Sequence, residues 1–425
     1  MTPSRFVEKD RDSEEGLGAI HKLYGVEGRD EAMRRIAALA EGFSSEDAQK
    51  GLRIYSAPGR TELAGNHTDH NHGKVLCAAV QLDVLACVAP RNDGQVTMRS
   101  PALPEPLTVD LRDRGPRQEE AGTTAALVRD VAAILAERGL RHGGFDASVD
   151  STVAVGSGLS SSAAIECLLG VIMSDLAGVS LHPTEIAKIG QRAENEWFGK
   201  PCGLMDQMAS AHGGIIAIDF HDPASPETTP LYFDFACAGY VLHVVHTRGS
   251  HADLTGDYAE IPADMRLAAA FFGAESLGNV DPADFVARSA ELWRAVGDKP
   301  WLRAAHFFAE TARVPAMVAA LTSGDMPTYL ALARESGDSS WRLLGNIDPP
   351  SQPRNRRIAT ALAVSERWLK GSGMVRIHGG GFAGTIQALV PEELSDGYRS
   401  LMESWFGEGS VQKLRVRPIG ATRIL

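Results

Sequence analysis

The sequence predicts a soluble chain of two domains in which helices and strands are mixed. Three observations carry that reading. At 425 residues the chain is long enough for two sizeable cores. Strand-like and helix-like segments alternate from Arg53 to Phe220, whereas Asp264 to Leu369 is almost wholly helical in period. Between them, after a proline-rich stretch from Pro223 to Pro230, the pattern shifts, and the domain boundary is expected near residues 222 to 238.

Composition excludes several classes of function. Hydrophobic residues at 44% and charged residues at 23% are those of an ordinary globular protein. No apolar run approaches the ~20 residues that a membrane span needs. The segment Met1 to Gly16 is charged, so it is not expected to act as a signal peptide. The five cysteines (Cys77, Cys87, Cys167, Cys202, Cys237) are scattered and mostly inside apolar runs, which points to reduced thiols and a cytoplasmic location. A net charge of −12 without a basic stripe argues against nucleic acid. A polyphosphate remains possible if backbone N–H groups, a few basic residues and a divalent cation neutralise it.

Taken in order, residues 1–50 read as helices, with Ile20, Leu23 and Tyr24 on one stripe and Met33, Ile36, Leu39 and Ala40 on another. They carry no recognisable chemistry. A short strand is expected at Arg53–Ser56, followed by a polar loop from Ala57 to Leu76. Loops so rich in bulky polar groups beside glycines are usually sites. His67, Asp69, His70 and His72 invite a metal reading, but their spacing fits no standard zinc site and no cysteine lies nearby. Lys74–Pro90 reads as one or two strands, with further strands near Gln95–Arg99 and Leu107–Leu111. Ala121–Arg138 is a helix closed by Gly139.

The organising stretch is V-A-V-G-S-G-L-S-S-S-A-A, Val153 to Ala164. An alternating strand around Phe145, Ala147 and Val149 precedes it, and a buried helix from Ala163 to Leu176 follows. Gly156 and Gly158 let the backbone turn tightly and approach a ligand, and the hydroxyls of Ser160, Ser161 and Ser162 stand at the helix N-terminus. Strand, glycine turn and helix start together suit an anion. The same pattern also fits a plain serine-capped helix. No Gly-Lys-Ser ends the stretch, so it is not a Walker A loop, and Ser161 stands where a dinucleotide fingerprint has its third glycine.

Pro183–Trp197 is a further helix. It places Glu194 and Glu196 near its C-terminal end, where the dipole disfavours carboxylates; the placement points to a charge partner, and two solvated glutamates fit it as well. The stretch Pro201-Cys202-Gly203-Leu204-Met205-Asp206-Gln207 opens a short helix ended by Gly213 and Gly214, with Asp206 in its first turn. Strands are expected at Gly214–Phe220, Tyr240–Thr247, Met374–His378, Thr385–Val390 and Val411–Pro418. Gly379 to Gly384 matches G-x-G-x-x-G formally, but the strand after it rules out the dinucleotide reading.

Three stretches together are far more specific than any alone. Gly59-Arg60-Thr61-Glu62-Leu63-Ala64-Gly65-Asn66-His67-Thr68-Asp69 resembles the galactokinase signature. Val155 to Ala164 resembles the phosphate-binding motif of the GHMP kinase superfamily, and Gly379 to Gly384 its third motif. Ala193-Glu194 through Cys202-Gly203-Leu204-Met205-Asp206-Gln207 looks like the galactokinase active-site segment. The resemblance covers roughly residues 52 to 425.

It implies an α+β, two-domain GHMP kinase fold. A ribosomal-S5-like N-terminal domain with a left-handed βαβ unit would span residues 51–230, and a ferredoxin-like C-terminal domain residues 231–425, after a helical extension at 1–50. It implies transfer of the γ-phosphoryl group of ATP to the anomeric hydroxyl of galactose. Asp206 matches the catalytic base and Arg60 the arginine that steadies it. His67, Asp69, Gly203 and Tyr258 match sugar-binding positions. Gly156, Ser157, Gly158, Leu159, Ser160, Ser161 and Ser162 match the ATP phosphate loop, and Ser161 or a neighbouring serine, with Glu194, matches the Mg²⁺ positions. Four departures stand out. Asn66 replaces a substrate-binding glutamate, Ala154 a proline, Thr61-Glu62-Leu63 the common Val-Asn-Leu, and His70 a tyrosine. They leave open another galacto-configured sugar, a uronic acid or a non-catalytic sugar-sensing relative. The expected partners are a sugar and ATP, with no nucleic acid and no membrane, and the expected state is a monomer.

Overall fold

The computed structural model describes residues 14–49, 51–113, 115, 117–154, 156–198, 202–249, 254–382 and 384–425. Val155, Pro201, Ala383 and the segment His251–Asp253, which the motif readings touched, lie outside the described residues.

Two sheets organise the chain. The first is ordered β12-β1-β2-β5-β3-β4, with β6 and β7 joined to it through β2. Its strands are β1 (Arg53–Ala64), β2 (Lys74–Pro90), β3 (Gln95–Arg99), β4 (Leu107–Asp110), β5 (Gly144–Ser151), β6 (Ile215–Asp219), β7 (Glu227–Leu231) and β12 (Thr422–Arg423). All pairings are antiparallel except β3 with β5, which are joined through the crossover helix α3 (Thr124–Glu137). Helices α4 (Ser161–Leu176), α5 (Pro183–Ala193) and α6 (Met205–His212) pack with α3 on this sheet, around Val84, Ala86, Val128, Leu168, Ile189 and Met208. The extension folds as α1 (Glu14–Glu41), broken at Gly25, and α2 (Ser45–Gln49). Its Ile20, Leu23 and Ile36 pack on Leu85 and Cys87.

The second sheet is antiparallel, ordered β11-β8-β10-β9, from β8 (Tyr240–His246), β9 (Met374–Ile377), β10 (Thr385–Pro391) and β11 (Val411–Leu414). Numbered by sequence, that spatial order is 4-1-3-2 in a β-α-β-β-α-β connection, the ferredoxin-like arrangement. A helical stretch fills the first crossover: α7 (Thr255–Phe271), α8 (Pro282–Ala287), α9 (Ser289–Val296), α10 (Asp298–Ser323), α11 (Met326–Ser339) and α12 (Arg357–Leu369). Helix α13 (Ser395–Phe406) makes the second. Among the described residues, no helix is long and apolar enough to cross a membrane.

One apolar cluster spans both sheets, bringing Leu63, Leu76, Val80 and Leu159 against Leu242, Val314, Tyr329 and Leu389. After β11 the chain runs back to the first sheet, where Arg417 N–H donates to Ala79 O at 2.9 Å and β12 pairs with β1.

Several boundaries differ from expectation. The strand expected at Arg53–Ser56 runs on to Ala64, so the polar loop shrinks to residues 65–73. Its polar residues masked the strand because Arg60 is buried against Asp206, and Thr61 and Glu62 against the second sheet, where side-chain alternation no longer reports solvent. The proline-rich loop contains β7, which tolerates Pro230 as an edge strand. The helix expected to reach Trp197 leaves α-geometry at Ala193 and continues as a π-turn, Glu194–Phe198. The last strand expected, to Pro418, ends at Leu414, and β12 was not anticipated.

Candidate active site

The site is built where β1, the Gly156–Ser162 loop and the start of α6 meet. The β1–β2 register shifts between Pro58 and Arg60, and a Cβ on Gly59 would lie 2.8 Å from Leu159 O. This bulge lets Arg60 N–H donate to Leu159 O at 3.0 Å and aims the Arg60 guanidinium at α6. Arg60 Nε donates to Asp206 Oδ1 at 2.6 Å and Nη2 to Oδ2 at 2.7 Å, a bidentate pair. Nη1 donates to Gly158 O, tying the same guanidinium to the phosphate-type loop. Burial works against the Arg60 charge, but the Asp206 carboxylate outweighs it and raises the pKa above its ordinary value.

Ser160 donates its hydroxyl to Asp206 Oδ2. It does so from a left-handed backbone (φ 57°), a strained position for a residue with a Cβ. The hydroxyl is therefore withdrawn from capping α4, whose first intrahelical bond is Ala164 N–H to Ser160 O. The N–H groups of Ser161, Ser162 and Ala163 precede that bond and face the helix entrance. Gly156 (φ 75°) has open space where a Cβ would stand. Ser157 closes its own turn onto Ala154 O at 2.6 Å, and the Leu159 side chain is core, so Leu159 serves the loop through its backbone. A polyphosphate fits such an entrance.

Glu194 is 2% exposed. Its Oε1 accepts from Ser162 Oγ at 3.0 Å and its Oε2 from Gln207 Nε2 at 3.0 Å. These serine and amide donors are the partners of the carboxylate at the helix end, whereas Glu196 pairs at the surface with Arg192. Among the described residues no three His, Cys, Asp or Glu side chains are grouped to hold a metal ion. A divalent cation here would share hard oxygens, one carboxylate and serine hydroxyls with phosphate, and that donor set fits Mg²⁺.

Asp69 and Gly203 meet: the Asp69 carboxylate fills the space a Gly203 side chain would take. Burial, with the neighbouring Asp206 charge, pushes the Asp69 pKa up to about 6, against the backbone amides of His70 and Met205. His67 and His70 do not form a metal cage. Asn71 Nδ2 donates to His70 Nδ1 at 2.9 Å, His70 Nε2 to His67 Nδ1 at 3.2 Å, and His67 Nε2 to Gly380 O at 2.8 Å. That run of donors fixes both rings as neutral tautomers, and burial lowers both pKa values, His67 to about 4. His72 turns away to Ser276 Oγ at 3.0 Å. Tyr258 OH donates to Gly381 O at 2.6 Å and its ring stands edge-on to Phe382, so it braces the third motif.

Asn66 is where the structure departs most from the sequence reading. Expected to face substrate, it is fully buried. Its amide is taken up by Glu62 and Gly379 O as acceptors and by Asn346 and Ser340 as donors. With those partners the side chain has no remaining hydrogen-bonding capacity for a sugar hydroxyl.

Two contributors, and one contact of the expected Ser160, were not anticipated. The Ser160 hydroxyl lies on Asp206, and Gln207 lies on Glu194. His378 sits between Thr61 Oγ1 (3.0 Å) and Thr385 Oγ1 (3.1 Å), beside Gly158. Burial and the charges of Arg60 and Arg376 hold the His378 pKa well below its ordinary value. Its place immediately before the glycine run is the signal that could have found it.

Comparison with known proteins identifies the family. Residues 126–214 match the GHMP kinases N terminal domain, and residues 40–90 the galactokinase galactose-binding signature. The chain is 34% identical to a galactokinase of Streptomyces coelicolor over 85% of this chain and 91% of that one. It is 33% identical to a galactokinase of Glaesserella parasuis over 81% and 87%. Among solved structures, Lactococcus lactis galactokinase complexed with galactose superposes with a TM-score of 0.77 at 23% identity, covering 88% of this chain and 95% of that one. A mevalonate kinase superposes at 0.59 and 15% identity, over 85% and 98%. The chain therefore belongs to the galactokinase family and is an ATP-dependent sugar kinase on the GHMP kinase fold.

Proposed function

We propose that this kinase phosphorylates galactose at its anomeric hydroxyl. The observation that carries the reading is the bidentate Arg60–Asp206 pair, bound through Ser160 and Gly158 to the loop that suits a polyphosphate. Asp206 takes the proton of the attacking hydroxyl, and Arg60 holds the carboxylate in register and offsets the charge that develops. Asp69, packed against Gly203, lines the sugar side, with His67 and Tyr258 bracing the glycine run opposite. Backbone N–H groups of the Gly156–Ser162 loop hold the phosphates. Mg²⁺ would be held by Glu194 with Ser161 or Ser162 and, when bound, would supply charge neutralisation at the phosphates.

We read the site as lying between a unit of residues 51–230 and one of residues 231–425, whose last strand, β12, pairs back onto β1. A monomer in the cytoplasm is our reading of its state and place, and five free cysteines support the location.

The test is ADP release with galactose, L-arabinose, galacturonate and 2-deoxygalactose, with NMR of the products. Galactose should be consumed to a 1-phosphate. Absence of ADP release with galactose above the sugar-free rate would overturn the reading.

A further inference from the structure

Helix α4 touches both oxygens of Glu194, once directly and once through an intermediary. Ser162 and Glu166 stand four residues apart and so share one face of the helix. Ser162 Oγ donates to Glu194 Oε1 at 3.0 Å. Glu166 Oε2 accepts from Gln207 Nε2 at 2.9 Å, and the same nitrogen donates to Glu194 Oε2 at 3.0 Å. Glu166 and Gln207 are fully buried. The nitrogen also lies 3.6 Å from Cys202 Sγ, which accepts weakly.

Amide orientation is not ambiguous here. Turned over, Gln207 would set its oxygen against two carboxylates, whereas as placed both N–H bonds have acceptors and Oε1 is a buried atom without a hydrogen-bond partner. Leaving that oxygen unmatched costs free energy, so the amide is held by what its nitrogen does. Close approach of the third element makes room for this. A Cβ on Gly190, in α5, would lie 3.0 Å from Glu166 Cβ and 3.3 Å from Gln207 Cγ.

The geometry points to Glu166 and Gln207 as positioning residues that aim the Glu194 carboxylate at the cation. Glu166 anchors one N–H of the Gln207 amide, and the other N–H fixes Glu194. This rests on the reading of Glu194 as the metal-bound carboxylate. Outer partners of this kind typically change metal affinity ~10–100-fold.

The experiment is titration of Mn²⁺ into the ADP-bound protein, followed by the EPR signal of free Mn²⁺, with melting temperature in parallel. Glu194→Gln should weaken Mn²⁺ binding strongly; if it does not, the metal reading fails. With that variant weakened, Gln207→Met should raise the Mn²⁺ dissociation constant ~10-fold or more while the ADP-free protein remains folded. Glu166→Met should do the same, and Glu166→Gln, which keeps an acceptor oxygen, should stay within ~3-fold of the parent, below the outer-partner range. If Gln207→Met does not fold, the Glu166 pair decides alone. Glu166→Met and Glu166→Gln binding Mn²⁺ like the parent, whatever their melting temperatures, would overturn the inference.

Discussion

The side-chain amide of Asn66 donates to the backbone carbonyl of Gly379 at 2.7 Å, joining the signature loop of the first sheet to the glycine run of the second. The same amide donates to Glu62 Oε2 at 3.0 Å. Glu62 Oε1 in turn takes Arg376 Nη2 at 2.5 Å, and both members of that ion pair are buried. By the resemblance, residues 62 and 66 are two of the positions at which the signature departs from the family pattern, with a carboxylate and an amide each where the other is usual. Their contact makes the two departures one exchange.

Asn66→Glu should therefore act first on stability. It sets a second carboxylate beside Glu62 and against Gly379 O, and unpaired buried charge typically costs about 3–5 kcal/mol. The double variant Glu62→Asn/Asn66→Glu should recover at least ~1 kcal/mol relative to the sum of the singles, as contacting residues couple by ~0.5–3 kcal/mol. Denaturant unfolding of the four proteins measures this. Additive single effects would contradict the exchange.

Asp69 gives a pH prediction. Its folded pKa is raised to about 6, above the unfolded carboxylate, so ionisation opposes folding as pH rises through that window. Asp69→Asn should melt higher than the parent at pH 8, and the difference should shrink as pH falls from about 6 to about 4. A constant difference across that range would argue against a buried, charge-crowded Asp69.

His67 and His70 titrate in the opposite sense. Both are held neutral, His67 with a pKa of about 4, so the unfolded chain takes up protons first. Their contribution is intact above about pH 6.5, the unfolded imidazole value, and is lost as pH falls below it. His70→Gln should flatten the decline of melting temperature between pH 7 and 4.5. An unchanged slope would place the acid sensitivity elsewhere.

Much of this was legible in the sequence, and what was not has a common cause. Local signals located the glycine turns, helices α3 to α6 and the strands of the second sheet. The Arg60, Asp206, Asp69 and Gly203 cluster came from motifs whose spacing survives folding. Pairings across the seam were hidden. Glu62 and Asn66 fall in the stretch that reads as a polar loop, and Arg376 and Gln387 are polar residues of strands whose buried partners no local pattern shows. Yet Gln387 Nε2 donates to Thr61 Oγ1 at 2.7 Å and to Glu62 O at 2.9 Å, inside a dry interface. The extension at residues 1–50 offered no chemistry, and its described part, residues 14–49, packs on the first sheet. Tyr24 OH donates to the buried Asp83 at 2.5 Å, and Arg35 Nη1 reaches the same carboxylate at 2.8 Å.

That anchor predicts a stability effect without a catalytic one. Asp83 also pairs with buried Arg417 at 3.3 Å. Asp83→Ala leaves Arg417 and Arg35 without their shared carboxylate and should cost about 3–5 kcal/mol. At temperatures where the variant is folded, kcat should stay within about twofold of the parent, since Asp83 touches none of the groups that would act in the rate-limiting step. Denaturation and steady-state kinetics on one preparation check both halves.

The most direct measurement is single-turnover phosphorylation of galactose by Asp206→Asn, alongside binding of ADP and galactose. The variant keeps the size of the side chain and an acceptor for Arg60 but removes the base. General-base catalysis contributes ~10²–10⁴-fold, so the rate should fall by at least about a hundredfold while both ligands still bind. A loss below tenfold would contradict Asp206 as the base and with it the account of the site.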